Sequence, residues 1–113
     1  MWWSFFKKRE TAALPYSLES WQAQEYWKEK KALFVDVRSQ DEYANGHIPE
    51  SVCLPLDQLS RRYREISRKE TVILVCQASS RSKRALQFLR RHGYRNVYYL
   101  AGGLKNWTGI IIK

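Results

Sequence analysis

The sequence predicts an α/β fold: one domain built on an open parallel β-sheet, with helices on both faces. Three observations support this. Short apolar runs recur roughly every 10–20 residues with helical patterns between them, the spacing of βα units. The strongest runs, ALFVDV at 32–37 and TVILV at 71–75, are apolar almost throughout and do not alternate, as expected of strands buried on both faces. The chain of 113 residues is 44% hydrophobic and 27% charged, which suits one packed core and argues against a disordered or fibrous chain. No repeat or long linker divides it, so residues 15–113 are expected to form the domain and 1–14 a separate aromatic and basic segment.

The elements follow in order. Ser17 is placed to N-cap a helix over 18–30, in which Leu18, Trp21, Ala23, Tyr26 and Trp27 supply an apolar stripe. A strand follows at 32–37. Ser39 and Glu42 form a capping box for a helix of one or two turns that Gly46 ends. A second short strand spans 51–54, and Pro55 opens a helix over 57–66. The run 71–75 is β-branched at every position except Leu74, the most strand-like stretch of the chain. Residues 80–92 read as a helix with Ala85, Leu86, Phe88 and Leu89 inward and Gly93 just past its end. A last strand at 96–100 leads through Gly102 and Gly103 into a short helix ending near Trp107.

Composition narrows the function. No apolar run approaches the roughly 18 residues of a membrane-spanning helix. Two cysteines are too few for a disulfide scaffold, and without a CxxC pair or a His/Cys cluster no metal site is expected. From Met1 to Arg9 the chain reads MWWSFFKKR, aromatics before bases, which reverses the order of a secretory signal. That composition fits a weak peripheral membrane contact, and equally a packing or self-association segment. The chain carries 20 Lys+Arg against 11 Asp+Glu, a net charge of +9. Residues 60–95 hold eleven bases against only Glu65 and Glu70, so the whole excess belongs to that third of the sequence. Such a block suits a small anionic substrate, an acidic partner or nucleic acid, or simply a solvated face.

Ligands of open α/β sheets bind beyond the carboxyl ends of the strands. There the sequence runs Val75-Cys76-Gln77-Ala78-Ser79-Ser80-Arg81-Ser82, a cysteine at a strand end followed by small and polar residues and an arginine at a helix opening. Consecutive amide N–H groups can curl around the sulfur, and the helix dipole and nearby bases add positive potential. These effects favour the thiolate and place Cys76 as a nucleophile. A buried structural cysteine ending a core strand fits the same spacing.

From Leu33 to Trp107 the chain resembles a single-domain rhodanese, a sulfurtransferase fold related to cell-cycle phosphatases of the same architecture. The matching segments are Val35-Asp36-Val37-Arg38, Asp41-Glu42-Tyr43, Gly46-His47-Ile48-Pro49 and Leu54-Pro55-Leu56. They continue with the cysteine loop and Arg81-Ser82, Gly93-Tyr94-x-x-Val97, and Ala101-Gly102-Gly103-Leu104-x-x-Trp107. The resemblance implies a persulfide on Cys76, formed from a donor such as thiosulfate and passed to a thiol or to an acidic acceptor protein by two-step covalent catalysis. It implies that the loop amides from Gln77 through Ala78, Ser79 and Ser80 to Arg81 hold the anionic sulfur, that Arg81 closes the loop and attracts the donor, and that Asp36 and Arg38 support the site structurally. No metal or organic cofactor is implied. Four residues separate Cys76 from Arg81, where the phosphatase pattern has five and would put arginine at Ser82. Ala78 and Ser79 depart from the family loop, which has Ser or Thr third and Gly fourth. The alternative reading is therefore a weakly active or inactive binding or regulatory module of the same fold that docks an acidic partner. Backbone strain at Ser79 is expected if that position requires a positive φ.

His47 and His92 read as structural, Cys53 as a small core residue with a resolving thiol as its alternative, and Trp21, Trp27 and Trp107 as core packing. No nucleic-acid motif is present, so nucleic acid is not an expected partner. A reactive thiol fits a reducing cytoplasm.

Overall fold

The computed structural model describes residues 16–113. Five strands lie among them: β1 (Ser17–Leu18), β2 (Leu33–Asp36), β3 (Val52–Cys53), β4 (Val72–Val75) and β5 (Val97–Leu100). They pair in the order β1-β5-β4-β2-β3, every pair parallel. The helices are α1 (Ser20–Lys28), α2 (Gln40–Ala44), α3 (Leu59–Arg62) and α4 (Ser80–Arg91), with 3₁₀ turns at Leu56–Gln58, Tyr63–Glu65 and Gly103–Asn106. The segment 1–14 and the membrane reading of Met1 to Arg9 lie outside the described residues.

Strand residues alternate between two cores. Val35, Leu74, Val97 and Tyr99 face α3 and α4, meeting Leu59, Tyr63, Ala85 and Leu89. Phe34, Ile73, Val75 and Leu100 face the other way, toward Ala23 of α1, Ile48 and Trp107. Helical packing on both faces explains why the strand runs are apolar throughout. No helix of the described residues is long and apolar enough to cross a membrane.

The structure differs from the sequence reading at three places. Ser17 does not cap a helix. Ser17 and Leu18 form an edge strand, with Tyr99 N–H donating to Tyr16 O at 2.9 Å and Ala101 N–H to Leu18 O at 2.8 Å. The helix starts only at Ser20, because pairing with β5 holds the backbone before it extended. Trp21 is 68% exposed and is not part of the core. The helix expected over 57–66 divides into a 3₁₀ turn, α3 and a second 3₁₀ turn. Its beginning is fixed by Leu56 N–H donating to Val37 O at 3.0 Å, and at its end the Tyr94 hydroxyl reaches the carbonyls of Tyr63 and Ile66. These anchors tighten the segment at both ends.

The two tryptophans should separate in a urea melt. Trp107 is nearly buried, edge-on to Phe34, with its indole N–H donating to Ile110 O at 3.1 Å. Trp107→Ala should cost about 3–5 kcal/mol. Trp21→Ala should stay within about 0.5 kcal/mol of wild type.

Candidate active site

β4 is the central strand, and its neighbours β2 and β5 lead into loops at the same end of the sheet. The chain leaves β4 toward β5 and leaves β2 toward β3, so the crevice between their ends is the topological switch point of the sheet. Cys76 stands there, one residue past Val75 and 1% exposed. Its sulfur accepts the N–H of Ser82 at 3.3 Å, and its thiol donates to the Ser82 hydroxyl at 3.4 Å. That hydroxyl donates in turn to Ser79 O at 3.0 Å.

Ser82 is the residue the sequence reading overlooked. The expected partners were the amides from Gln77 to Arg81, but the N–H on the sulfur belongs to the next residue. A signal for it existed: Ser82 occupies the same inward stripe of α4 as Ala85, Leu86 and Leu89, at i, i+3, i+4 and i+7. A fully buried hydroxyl on that stripe needs polar partners, and here they are Ser79 O and the Cys76 thiol.

The outer side of the loop is held by the turn after β5. Leu104 N–H donates to Cys76 O at 2.9 Å, Lys105 N–H to Gln77 O at 3.1 Å, and Gly102 N–H to the Ser79 hydroxyl at 2.9 Å. Gly103 makes this possible. It has φ +66°, and a Cβ there would stand 2.4 Å from Cys76 O and 2.3 Å from Ala78 O. Ser79 has φ −160°, outside the left-handed region, so the positive φ that would have strained a non-glycine residue does not arise. Gln77, Ala78 and Ser80 are exposed on the outer surface of the loop.

Two ion pairs flank the loop. Asp36 and Arg38 are both buried, joined at 2.8–3.1 Å, and the Arg38 guanidinium also donates to Gly46 O at 2.7 Å. Arg81 donates with both terminal nitrogens to Glu42, at 2.6 and 3.0 Å. That hydrogen bond holds the Glu42 carboxyl well down, to about 2, and in turn raises Arg81. The charge of Arg81, expected to face the donor, is therefore matched by a carboxylate. Glu42, read from sequence only as a helix-start residue, has this second role because α2 sits beside the loop; its capping contact with Ser39 is also made. Beside the loop lies an open cleft of about 420 Å³ whose lining includes Arg38, Glu42, Gln77, Leu104 and Ile111.

The model of the rhodanese-like domain family matches residues 18–110. The chain belongs to this family. Over 82 residues it is 45% identical to the uncharacterized protein YqhL of Bacillus subtilis, a match covering 73% of this chain and 65% of that one. It thus spans less than two thirds of that relative's length. Over 76 residues it is 36% identical to a protein named sulfurtransferase from Allochromatium vinosum, covering 67% of this chain and 71% of the relative. The crystal structure of a rhodanese-related protein from Thermoplasma volcanium has the same fold, with a TM-score of 0.79, 24% identity and coverage of 85% and 96%.

The remaining candidates of this rhodanese-like domain are structural or lie apart from the loop. His47 stacks on Tyr43 at 3.7 Å, with Nδ1 2.8 Å from Tyr43 O. His92 stacks on Phe88 at the end of α4, with Nδ1 2.8 Å from Phe88 O. Cys53 is half-buried and not a core residue, and burial pushes its thiol up. It pairs in register with Asp36, which pairs with Val75, so two strand spacings, roughly 10 Å, separate the Cys53 backbone from the Cys76 end of β4. A disulfide needs Cα atoms closer than about 7 Å, so a resolving role would require the backbone to move. Among the described residues no group of three His, Cys, Asp or Glu could hold a metal.

Two outcomes check this geometry. The Glu42 carboxyl lies below its ordinary value of 4.5, at about 2, so its contribution is complete above 4.5 and is lost as pH falls through about 2. The stability difference between wild type and Glu42→Gln, read from urea midpoints, should shrink across that window, and should be small throughout because both partners are about one-third exposed. Gly103→Ala should cost more than the roughly 1 kcal/mol typical of a point mutation, since backbone on both sides must shift.

Proposed function

We propose that this domain is a sulfurtransferase, moving sulfane sulfur from a small anionic donor such as thiosulfate to a thiophilic acceptor through a persulfide on Cys76. The observation that carries this reading is the Cys76 sulfur at the end of the central strand, met by the N–H and hydroxyl of Ser82 at the N-terminus of α4. Membership of the rhodanese-like family and the Allochromatium vinosum relative named sulfurtransferase support sulfur transfer.

In the first step the Cys76 thiolate attacks the outer sulfur of thiosulfate. A new S–S bond forms, the donor's own S–S bond breaks, and sulfite leaves with the electron pair. In the second step an acceptor thiolate attacks the outer sulfur of the persulfide, takes it, and returns Cys76 as thiolate. Charge and atoms balance in both steps without a redox partner. The Ser82 N–H and the helix N-terminus favour the anionic sulfur in each state, and the Ser82 hydroxyl adds a donor by turning its proton from Ser79 O to the sulfur. In this reading Gln77, Ala78, Ser79 and Ser80 present backbone toward the reacting sulfur, Arg81 keeps the loop closed through Glu42, and Asp36 with Arg38 fixes the neighbouring loop. Ala78 offers no hydroxyl to the persulfide, which points to modest turnover. The acceptor is a thiol or an acidic protein, and a thiol-based site of this kind operates in a reducing compartment such as the cytoplasm.

Incubation with thiosulfate, removal of excess donor and intact-mass measurement should show one added sulfur, about 32 Da. Cys76→Ser should show none, and Ser82→Ala should load about tenfold more slowly, the effect of losing one hydrogen bond to a charged group. No adduct on wild type would overturn the reading and leave a binding module on the same fold. An adduct that survives Cys76→Ser would overturn it equally.

A further inference from the structure

The basic third of the sequence becomes one face of the molecule. α3 and α4 pack against the same side of the sheet, so the bases on both helices are gathered there. Few of them are neutralised. Arg62 pairs with Glu65 and Arg81 with Glu42. Arg64, Arg68, Lys83 and Arg90 lie over the rings of Tyr63, Tyr94, Tyr99 and Tyr16, at 4.9, 5.1, 5.8 and 4.0 Å. These contacts hold the cations in place without cancelling their charge. Arg84 and Arg91 are exposed, with no carboxylate partner among the described residues.

Of the exposed positions on α4, Ser80, Arg84, Gln87 and Arg91 fall at i, i+4, i+7 and i+11, with Arg90 beside the last. They make a ridge about 18 Å long down the helix. One end of it is Ser80, in the loop that begins at Cys76. A partner lying on the ridge therefore has its end beside the sulfur.

The chemistry of the face selects the partner. Three of the four rings beneath the cations, Tyr63, Tyr94 and Tyr99, are buried, so they cannot stack on nucleic-acid bases. Among the described residues the exposed large apolar side chains, Trp21, Val52, Ile110, Ile111 and Ile112, all lie off α3 and α4, so neither helix offers one to insert into lipid. What the face offers is unneutralised cations, Arg84 and Arg91 on the ridge with Lys83 and Arg90 held over rings beside it, which suits carboxylates on a protein surface. We infer that the outer ridge of α4 is a docking surface for an acidic protein that takes sulfur from Cys76. The inference rests on the sulfur-transfer reading and names the recognition surface of that reaction.

Two synthetic peptides test it, each with one central cysteine, flanked in one by glutamates and in the other by lysines. Wild-type protein loaded from thiosulfate should pass sulfur to the glutamate peptide at least tenfold faster than to the lysine peptide, and added salt should shrink the gap. The Gln87→Glu/Arg91→Glu variant should lose the preference while turning over cyanide, a small acceptor, at the wild-type rate. Equal rates for the two peptides with wild type, or a preference kept by the variant, would overturn the inference. So would a variant that loses binding to duplex DNA or phosphatidylserine vesicles but still prefers the glutamate peptide. If the variant does not fold, the salt dependence of wild type with the two peptides decides alone. Failure to load sulfur at all would instead count against the reaction, and binding of the same peptides with serine for cysteine would still test the surface.

Discussion

The shape of the loop at Cys76 depends on one close approach of backbone to backbone. Gly103 lies against the carbonyls of Cys76 and Ala78, where any side chain would collide. The turn it opens donates its N–H groups to the carbonyls of Cys76 and Gln77. With those carbonyls drawn toward β5, the sulfur is left to the inner side of the loop, where Ser82 meets it. The glycine pair after β5 and the serine in α4 are thus two halves of one constraint, although they are about twenty residues apart in sequence. Parallel pairing of β4 and β5 brings them together.

Around this loop the two ion pairs differ in kind. Asp36 and Arg38 are buried, and removing one partner would strand a charge at a cost of about 3–5 kcal/mol. Their further bond to Gly46 O ties the strand end to the close of the α2 segment, so the pair sets where Glu42 can stand. The Glu42–Arg81 pair is about one-third exposed on each side, and contributes mainly geometry. A deep pair positions a shallow one, and the shallow one closes the loop.

Much of this was legible in the sequence. The apolar runs gave four of the strands, the Ser39 box gave α2, and the β4–α4 pattern gave the position of Cys76 at a strand end. The failures were tertiary. Ser17 and Leu18 carry every local mark of a helix start, and only the free edge of β5 makes them a strand. Trp21 fits the apolar stripe by spacing, yet α1 is not covered on that side by any described residue. Glu42 serves its own helix and a residue 39 positions away, and only the nearer role can be read locally. Ser82 is different: its place on the inward stripe was readable, but it lay one residue past the stretch taken as the loop.

Magnitudes separate the two kinds of positive potential at the site. A cation roughly 10 Å away through water contributes about 0.4 kcal/mol to an anion's energy before salt screens it. A hydrogen bond to a charged atom contributes about 1.5–3 kcal/mol. The Ser82 N–H therefore outweighs any single arginine on the outer side of α4 in holding an anionic sulfur. Screening over about 8 Å at physiological salt further confines those arginines to short range. Their effect falls on whatever approaches the face, because an approaching carboxylate meets several cations at once and at contact distance. In the proposed transfer the net charge of +9 thus acts on encounter, while the buried Ser82 acts on the sulfur itself.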